Sequence, residues 1–270
     1  WNGGEGFHPI QGWSDGGLDG ANHTIANLVV DNSTAGSDDA VGLFGDISGS
    51  IELANLELLD ASVEYTGSSV SVGTGALVGE MPGGNVTRVR VNGTVGGFGH
   101  VGGMFGYVQG ATSVDQSEFD GVVSAGFTYV GGIAGEVTSS GSLNMTSTRI
   151  DGSVSSVDDY VGGAIGEVDG PVDIDNVRLT VDVDAGVADY VGGVFGSNFD
   201  PAGINSTMLN GSVSGGSKVG GFVGYVSDPM VISNSTGNFT EISSSDDIGG
   251  FVGTTADPDL EIDDSRIVIS

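Results

Sequence analysis

VGGMFG (residues 101–106) carries no charge and no catalytic side chain, and half of it is glycine. It returns as VGGIAG (130–135), VGGAIG (161–166), VGGVFG (191–196), VGGFVG (219–224) and IGGFVG (248–253), with looser copies VGLFG (41–45) and GALVG (75–79). The closing glycines are Gly45, Gly79, Gly106, Gly135, Gly166, Gly196, Gly224 and Gly253, spaced 27 to 34 residues apart. Self-similarity at such a period marks a repeat architecture in which each unit buries its apolar face against the next.

A second apolar pattern lies between the motifs. Val114, Phe119 and Val122 follow Gly106; Leu143, Ile150 and Val154 follow Gly135; Ile174, Val177 and Leu179 follow Gly166; Ile204, Leu209 and Val213 follow Gly196. NVTRVRVNGTV (85–95) and IDNVRLTVDV (174–183) alternate with a period of two, the signature of strands buried on one face. No stretch sustains a helical period. A four-stranded propeller blade takes about 40–45 residues, so a unit near thirty is short for one. The expected fold is all-β: a right-handed β-helix or β-solenoid of about eight coils, roughly 40 Å long at the usual strand spacing. A sandwich or prism of repeats is the other arrangement the pattern allows. One domain is expected over 1–270, with a cap at 1–17, repeats over 18–259, and a terminal strand or junction at 260–270.

In this reading the hexapeptide is a corner. Val101, Met104 and Phe105 supply apolar side chains. Gly102 and Gly103 permit either positive φ or close backbone approach, and Gly106 frees the chain to turn. The rival reading is a phosphate cradle, but neither GxGxxG nor GxxxxGK followed by Ser or Thr occurs at a strand-to-helix junction.

Thirty-six acidic residues against six Lys and Arg give a formal net charge of −30. A compact domain so charged repels itself in dilute salt. Molar salt shortens screening to about 3 Å, so the composition points to work in concentrated salt. No basic patch is present to neutralise nucleic-acid phosphates or to hold an anionic membrane. Cysteine is absent, which excludes disulfides and thiolate metal sites. No apolar run is long enough to span a bilayer as a helix. Because the chain opens on Trp1, it is expected to be part of a longer product.

VGGMFG, VGGIAG and VGGFVG resemble the GLUG repeat. FHPIQGWSDGGLDGANHTIANLVV (7–30), followed by AVGLFGDISGSIELANLEL (40–58), resembles the opening that precedes such repeats in bacterial and archaeal surface proteins. The resemblance covers nearly all of residues 7–270. It implies an extracellular β-solenoid stalk or display domain of secreted, adhesin-like proteins, with no activity of its own. Together with the acidity it suggests a surface protein of a halophilic archaeon. GALVG and the insert VEYTGSSVSVG (63–73) depart from the pattern, so the second coil is expected to carry a bulge or loop.

No catalytic residue is assigned. His8, His23 and His100 are isolated, and neither HExxH nor GxSxG occurs. Asp158–Asp159, Asp182–Asp184, Asp189 and Asp246–Asp247, like Asp38–Asp39, mostly precede a V/I-G-G motif. They read as a solvated acidic stripe whose turns could bind Ca²⁺ or other hard cations, although no ligand set is fixed. The alternative function is a β-helical polysaccharide-cleaving enzyme using paired surface carboxylates. It would want basic residues beside the substrate; Arg88, Arg149 and Arg178 could lie near one another on successive coils, but they are expected to pair with the surrounding acids.

Nine N-x-S/T sites are candidate glycosylation sites: Asn22, Asn32, Asn85, Asn92, Asn144, Asn205, Asn210, Asn234 and Asn238. Asn85, Asn144, Asn205 and Asn234 follow motif glycines at similar intervals, so their glycans are expected along one edge. Phe7, Pro9, Ile10 and both tryptophans suit the cap, while LEIDDSRIVIS (260–270) is still strand-like. The expected partners are neighbouring domains, a second copy joined end to end, and surface glycans or proteins.

Overall fold

The computed structural model describes residues 6–32, 40–256 and 259–270, without the side chains of Asp15 and Asn32. Trp1, Asp38 and Asp39 lie outside the described residues. The chain winds into a solenoid in which all ladder pairings between named strands are parallel. Its strands form a 23-stranded sheet and a 7-stranded sheet.

One coil shows the plan. Val130–Gly131 belongs to a narrow face, Ala134–Val137 to a middle face, and Ser142–Thr146 with Arg149–Ser156 to a broad face bent once between them. Each strand pairs with its equivalent in the next coil. The repeat therefore becomes columns. Val41, Thr74, Val101, Val130, Val161, Val191, Val219 and Ile248 form one column. Phe44, Val78, Phe105, Ala134, Ile165, Phe195, Val223 and Val252 form another. Thr74 of the divergent GALVG coil takes the place of a valine of nearly the same shape, and its buried hydroxyl has no partner.

Val101, Met104 and Phe105 are fully buried, as a corner requires. The glycines act by close approach, since none of the VGGxxG glycines has positive φ. The narrow and middle faces fold back on each other with bare backbone between them. A Cβ on Gly102 would lie 2.0 Å from the Phe105 carbonyl oxygen, and one on Gly106 would lie 2.4 Å from the Thr74 nitrogen. Gly135, Gly166, Gly196, Gly224 and Gly253 meet the backbone of the preceding coil in the same way. Gly106 thus lies within a strand, Phe105–Val108, and admits a neighbouring backbone rather than making the turn.

Left-handed backbone occurs elsewhere. The bend of the broad face is an eight-coil column of Asn55, Arg88, Gln116, Ser147, Asn176, Ser206, Asn234 and Asp264, all with φ between 45° and 54°. Asn and Asp tolerate this region best. The next residue is often a buried hydroxyl. Ser117, Thr148, Thr207 and Ser235 each donate to the carbonyl two residues back. Ser117 and Ser235 also accept a backbone N–H from the preceding coil, at Val89 and Thr207.

The core is one apolar column bundle running through the described coils. Val122 is the exception to the expected interior set. It is 44% exposed, while Val123 is buried and pairs with Val95 and Val154. The period of two decides this: Phe119 and Val123 share a parity that Val122 does not. At the N-terminal end Phe7, Ile10 and Trp13 pack against the core, and Trp13 meets Phe44 edge to face. Trp13–Ala26 already pairs as a strand with the following rung. At the other end Ile248, Ile262 and Ile269 occupy core-column or ladder positions yet stand exposed. No helix among the described residues is long and apolar enough to cross a membrane.

Candidate functional site: an aromatic and acidic double ladder

The residue before each V-G-G stands at the open side of the narrow–middle corner, opposite the residue after the closing glycine. Successive coils place His100, Tyr129, Tyr160 and Tyr190 one above another, with ring centroids 4.8, 5.2 and 4.9 Å apart. Lys218 follows, its ammonium 4.2 Å from the Tyr190 ring centroid. Tyr129, Tyr160, Tyr190 and Lys218 all have φ between 48° and 64°. That backbone is costly for a bulky residue, so ring stacking and cation–π attraction offset a local strain.

The facing column is Glu80, Tyr107, Glu136, Glu167, Ser197, Tyr225 and Thr254. His100 Nε2 lies 2.7 Å from Glu136, and Tyr107 meets the His100 ring edge to face. Glu136, Glu167 and Asp169 converge, with one carboxylate oxygen from each within 4.8 Å of the others. Glu167 is only 6% exposed. Burial, then the nearby Asp169 and Glu136, push its carboxyl up to about 8, partly offset by hydrogen bonding from Tyr129. Burial and then Glu136 and Asp200 raise Asp169 as well. Burial first, then Glu167, pushes the Tyr160 phenol up to about 12. Such a set can hold a proton or a hard cation through oxygen ligands.

The acidic turns expected from the sequence also serve as hydrogen-bond acceptors. Asp159 accepts the Asp189 backbone N–H at 2.7 Å, Asp182 accepts the Ser212 hydroxyl at 2.7 Å, and Asp184 accepts the Ser214 hydroxyl at 3.2 Å. Asp247 accepts from Thr254 at 3.0 Å. Each fastens chain segments together. The converging carboxylates are instead on the middle face, where coil-to-coil register unites residues about thirty apart. A sequence signal existed, since Tyr precedes V-G-G in three consecutive copies.

The arginines align partly as expected, and some pair with acids. Glu57, Arg90, Glu118, Arg149, Arg178, Met208, Thr236 and Arg266 form one column of the broad face. Arg149 and Arg178 are neighbours as expected. Arg88 is not among them: it lies in the bend column and donates to Asn55 at 2.7 Å. Arg90 pairs with Glu118 at 3.1 Å, and Arg149 pairs with Asp151. A groove of about 320 Å³ runs beside Arg149 and Arg178. This column lies on the broad face, while the carboxylate cluster lies on the middle face.

Asn85 and Asn144 point outward in one column of the broad face, with Ser113 between them, beside a groove of about 420 Å³. Both are exposed, and their side-chain amides make no hydrogen bond among the described residues. Asn205 lies on the same face but in the next outward column, its amide donating to Asp175 at 2.6 Å. Asn234 sits in the bend and donates to Asn205 at 2.9 Å. The four asparagines therefore do not share one column. Asn92, Asn210 and Asn238 do share another, and Asn238 donates to Asn210 at 3.1 Å. Asn22 is exposed with φ 61°, and Asn32 ends the strand Val29–Asn32.

The chain is 35% identical over 153 residues to Halomucin of Haloquadratum walsbyi. The match takes in 54% of this chain and 2% of that protein, so the chain spans a small fraction of its relative's length. No protein-family profile matches, and the likeness to GLUG repeats rests on the quoted motifs alone. No solved structure matches the chain.

Proposed function

We propose that this solenoid is a non-enzymatic extracellular surface module, serving as stalk, adhesin or filament subunit, in an organism living in concentrated salt. The likeness to Halomucin carries the reading, through a relative named as a mucin and a Haloquadratum source. The net charge of −30 supports it physically, because molar salt is what makes such a surface tolerable. The GLUG-like motifs belong with the same role. Asn85 and Asn144 are the favoured glycan carriers, being exposed, unengaged and followed by Thr87 and Thr146. End-to-end contact with another solenoid unit belongs to the same reading.

The test is to label the protein on native cells kept in molar salt and to map its glycopeptides by mass. Label at the cell rim and added mass on at least one sequon are expected. A wholly intracellular signal would overturn the reading.

A further inference from the structure

The Glu136, Glu167 and Asp169 cluster differs from the other acidic groups of this chain in one respect. The turn aspartates spend their oxygens on backbone and hydroxyl donors of adjacent coils. Glu136 also meets His100 Nε2 at 2.7 Å and Glu167 takes a hydrogen bond from Tyr129, yet one oxygen of each of the three clustered carboxylates lies within 4.8 Å of the others. A second observation lies next to them. Ser197 is the in-register partner of Glu167 in the following coil. Its side chain is wholly buried, and its hydroxyl has no hydrogen-bond partner. Side chains of paired residues leave a parallel sheet on the same side, so this hydroxyl stands next to the Glu167 side chain in the same column. An unmade hydrogen bond in such a place ordinarily costs about 1–3 kcal/mol.

We propose that Glu136, Glu167, Asp169 and Ser197 form a Ca²⁺ site that clamps three consecutive coils on the middle face. The coils joined are those containing Ala134–Val137, Ile165–Val168 and Phe195–Asn198. The span admits this ion. Calcium holds oxygens at about 2.3–2.6 Å, so its ligands stand up to about 5 Å apart. Magnesium demands about 2.0–2.1 Å and a strict octahedron and keeps several of its waters, so a set rich in protein oxygens suits calcium better. Three carboxylates and one hydroxyl make four ligands, and water completes a shell of six to eight. Tyr129 and Tyr160 border the site, so they can sensitise a bound lanthanide.

Tb³⁺, which takes calcium sites, tests the proposal on the whole chain in molar KCl. Excitation of tyrosine should give terbium emission that Ca²⁺ displaces and that Mg²⁺ displaces at least about tenfold less well. Glu167→Gln and Asp169→Asn should each weaken Ca²⁺ competition at least about tenfold, and Ser197→Ala by a smaller factor. Asp173→Asn, on the broad face, should leave it unchanged. Far-UV circular dichroism establishes that each variant is folded. Asp169→Asn, whose side chain is less buried than Glu167, serves if the Glu167 variant does not fold. Equal Ca²⁺ competition in the parent and in folded Glu167→Gln or Asp169→Asn would overturn the site. So would an equal loss on Asp173→Asn, which would mark a diffuse ion atmosphere.

Discussion

Tyr160 and Tyr190 come from successive coils, yet their rings lie 4.9 Å apart with planes 2° from parallel. Each residue holds a left-handed backbone, at φ 64° and 59°. Stacking therefore works against local strain. Tyr160→Ala should cost about 2–4 kcal/mol in chemical denaturation and remove much of the near-UV tyrosine dichroism. Tyr160→Gly should lose the same dichroism but recover about 1 kcal/mol of stability relative to alanine, because glycine accepts the backbone. Equal stability of the two variants would refute the strain argument.

The seam between narrow and middle faces predicts a sharp contrast among glycines. A Cβ on Gly135 would stand 2.6 Å from both the Tyr129 oxygen and the Val101 nitrogen, and neither backbone can yield. Gly135→Ala should destabilise by more than about 2 kcal/mol. At Gly203 the nearest atom is the Asp173 carboxylate, a movable side-chain end, so Gly203→Ala should stay within about 0.5 kcal/mol. Urea midpoints of the two proteins test this.

Glu167 sets a pH dependence of defined sign. Its carboxyl ordinarily titrates at 4.5 and is pushed up to about 8 in the fold by burial. Below 4.5 both states hold the proton and the group has no effect. Between the two values the folded state binds more proton than the unfolded, so stability falls as pH rises, by up to about 1.4 kcal/mol per unit. The loss is complete above about 8. Glu167→Gln should flatten that segment of the stability–pH curve, measured without divalent ions. An unchanged slope would refute the shift.

Salt dependence follows from 36 acidic residues against six basic ones. The thermal midpoint should rise with KCl into the molar range. It should rise further than screening of any single ion pair would give, since the repulsion is distributed. A midpoint independent of salt would show that the surface charge carries no folding penalty.

The sequons separate by the state of their amides. Asn205 and Asn238 already donate to Asp175 and Asn210. Asn85 and Asn144 are unengaged among the described residues. Glycopeptide mapping should find Asn85 and Asn144 modified to a greater extent than Asn205 and Asn238. The reverse order would break the link between amide engagement and occupancy.

Much of the fold was legible because the repeat is a register. Once V-G-G recurs near every thirtieth residue, valine must stack on valine and glycine on glycine. The columns through Val130 and Gly131 do this. Legibility failed where one residue decides a face. Val122 looked interior, but parity with Phe119 selects Val123. Arg88 looked like a neighbour of Arg149, yet the bend displaces it and Arg90 takes the column. The carboxylate cluster was hidden for a related reason. Glu136 and Glu167 are unremarkable in their own coils, and only coil-to-coil pairing brings them together. Asp169 reaches them from two positions further along the chain, past Val168.

The parallel ladders run their hydrogen bonds along the rod, from each coil to the next, as from Ile133 N to the Ala164 oxygen at 2.8 Å. A force applied to the two ends therefore loads one rung at a time, not all rungs together. Under tension coils peel away one after another, each releasing roughly 100 Å of extended chain before the next takes the load. The same stacking that makes the rod stiff in bending makes it a stepwise extensible tether, with the coil as its unit of travel.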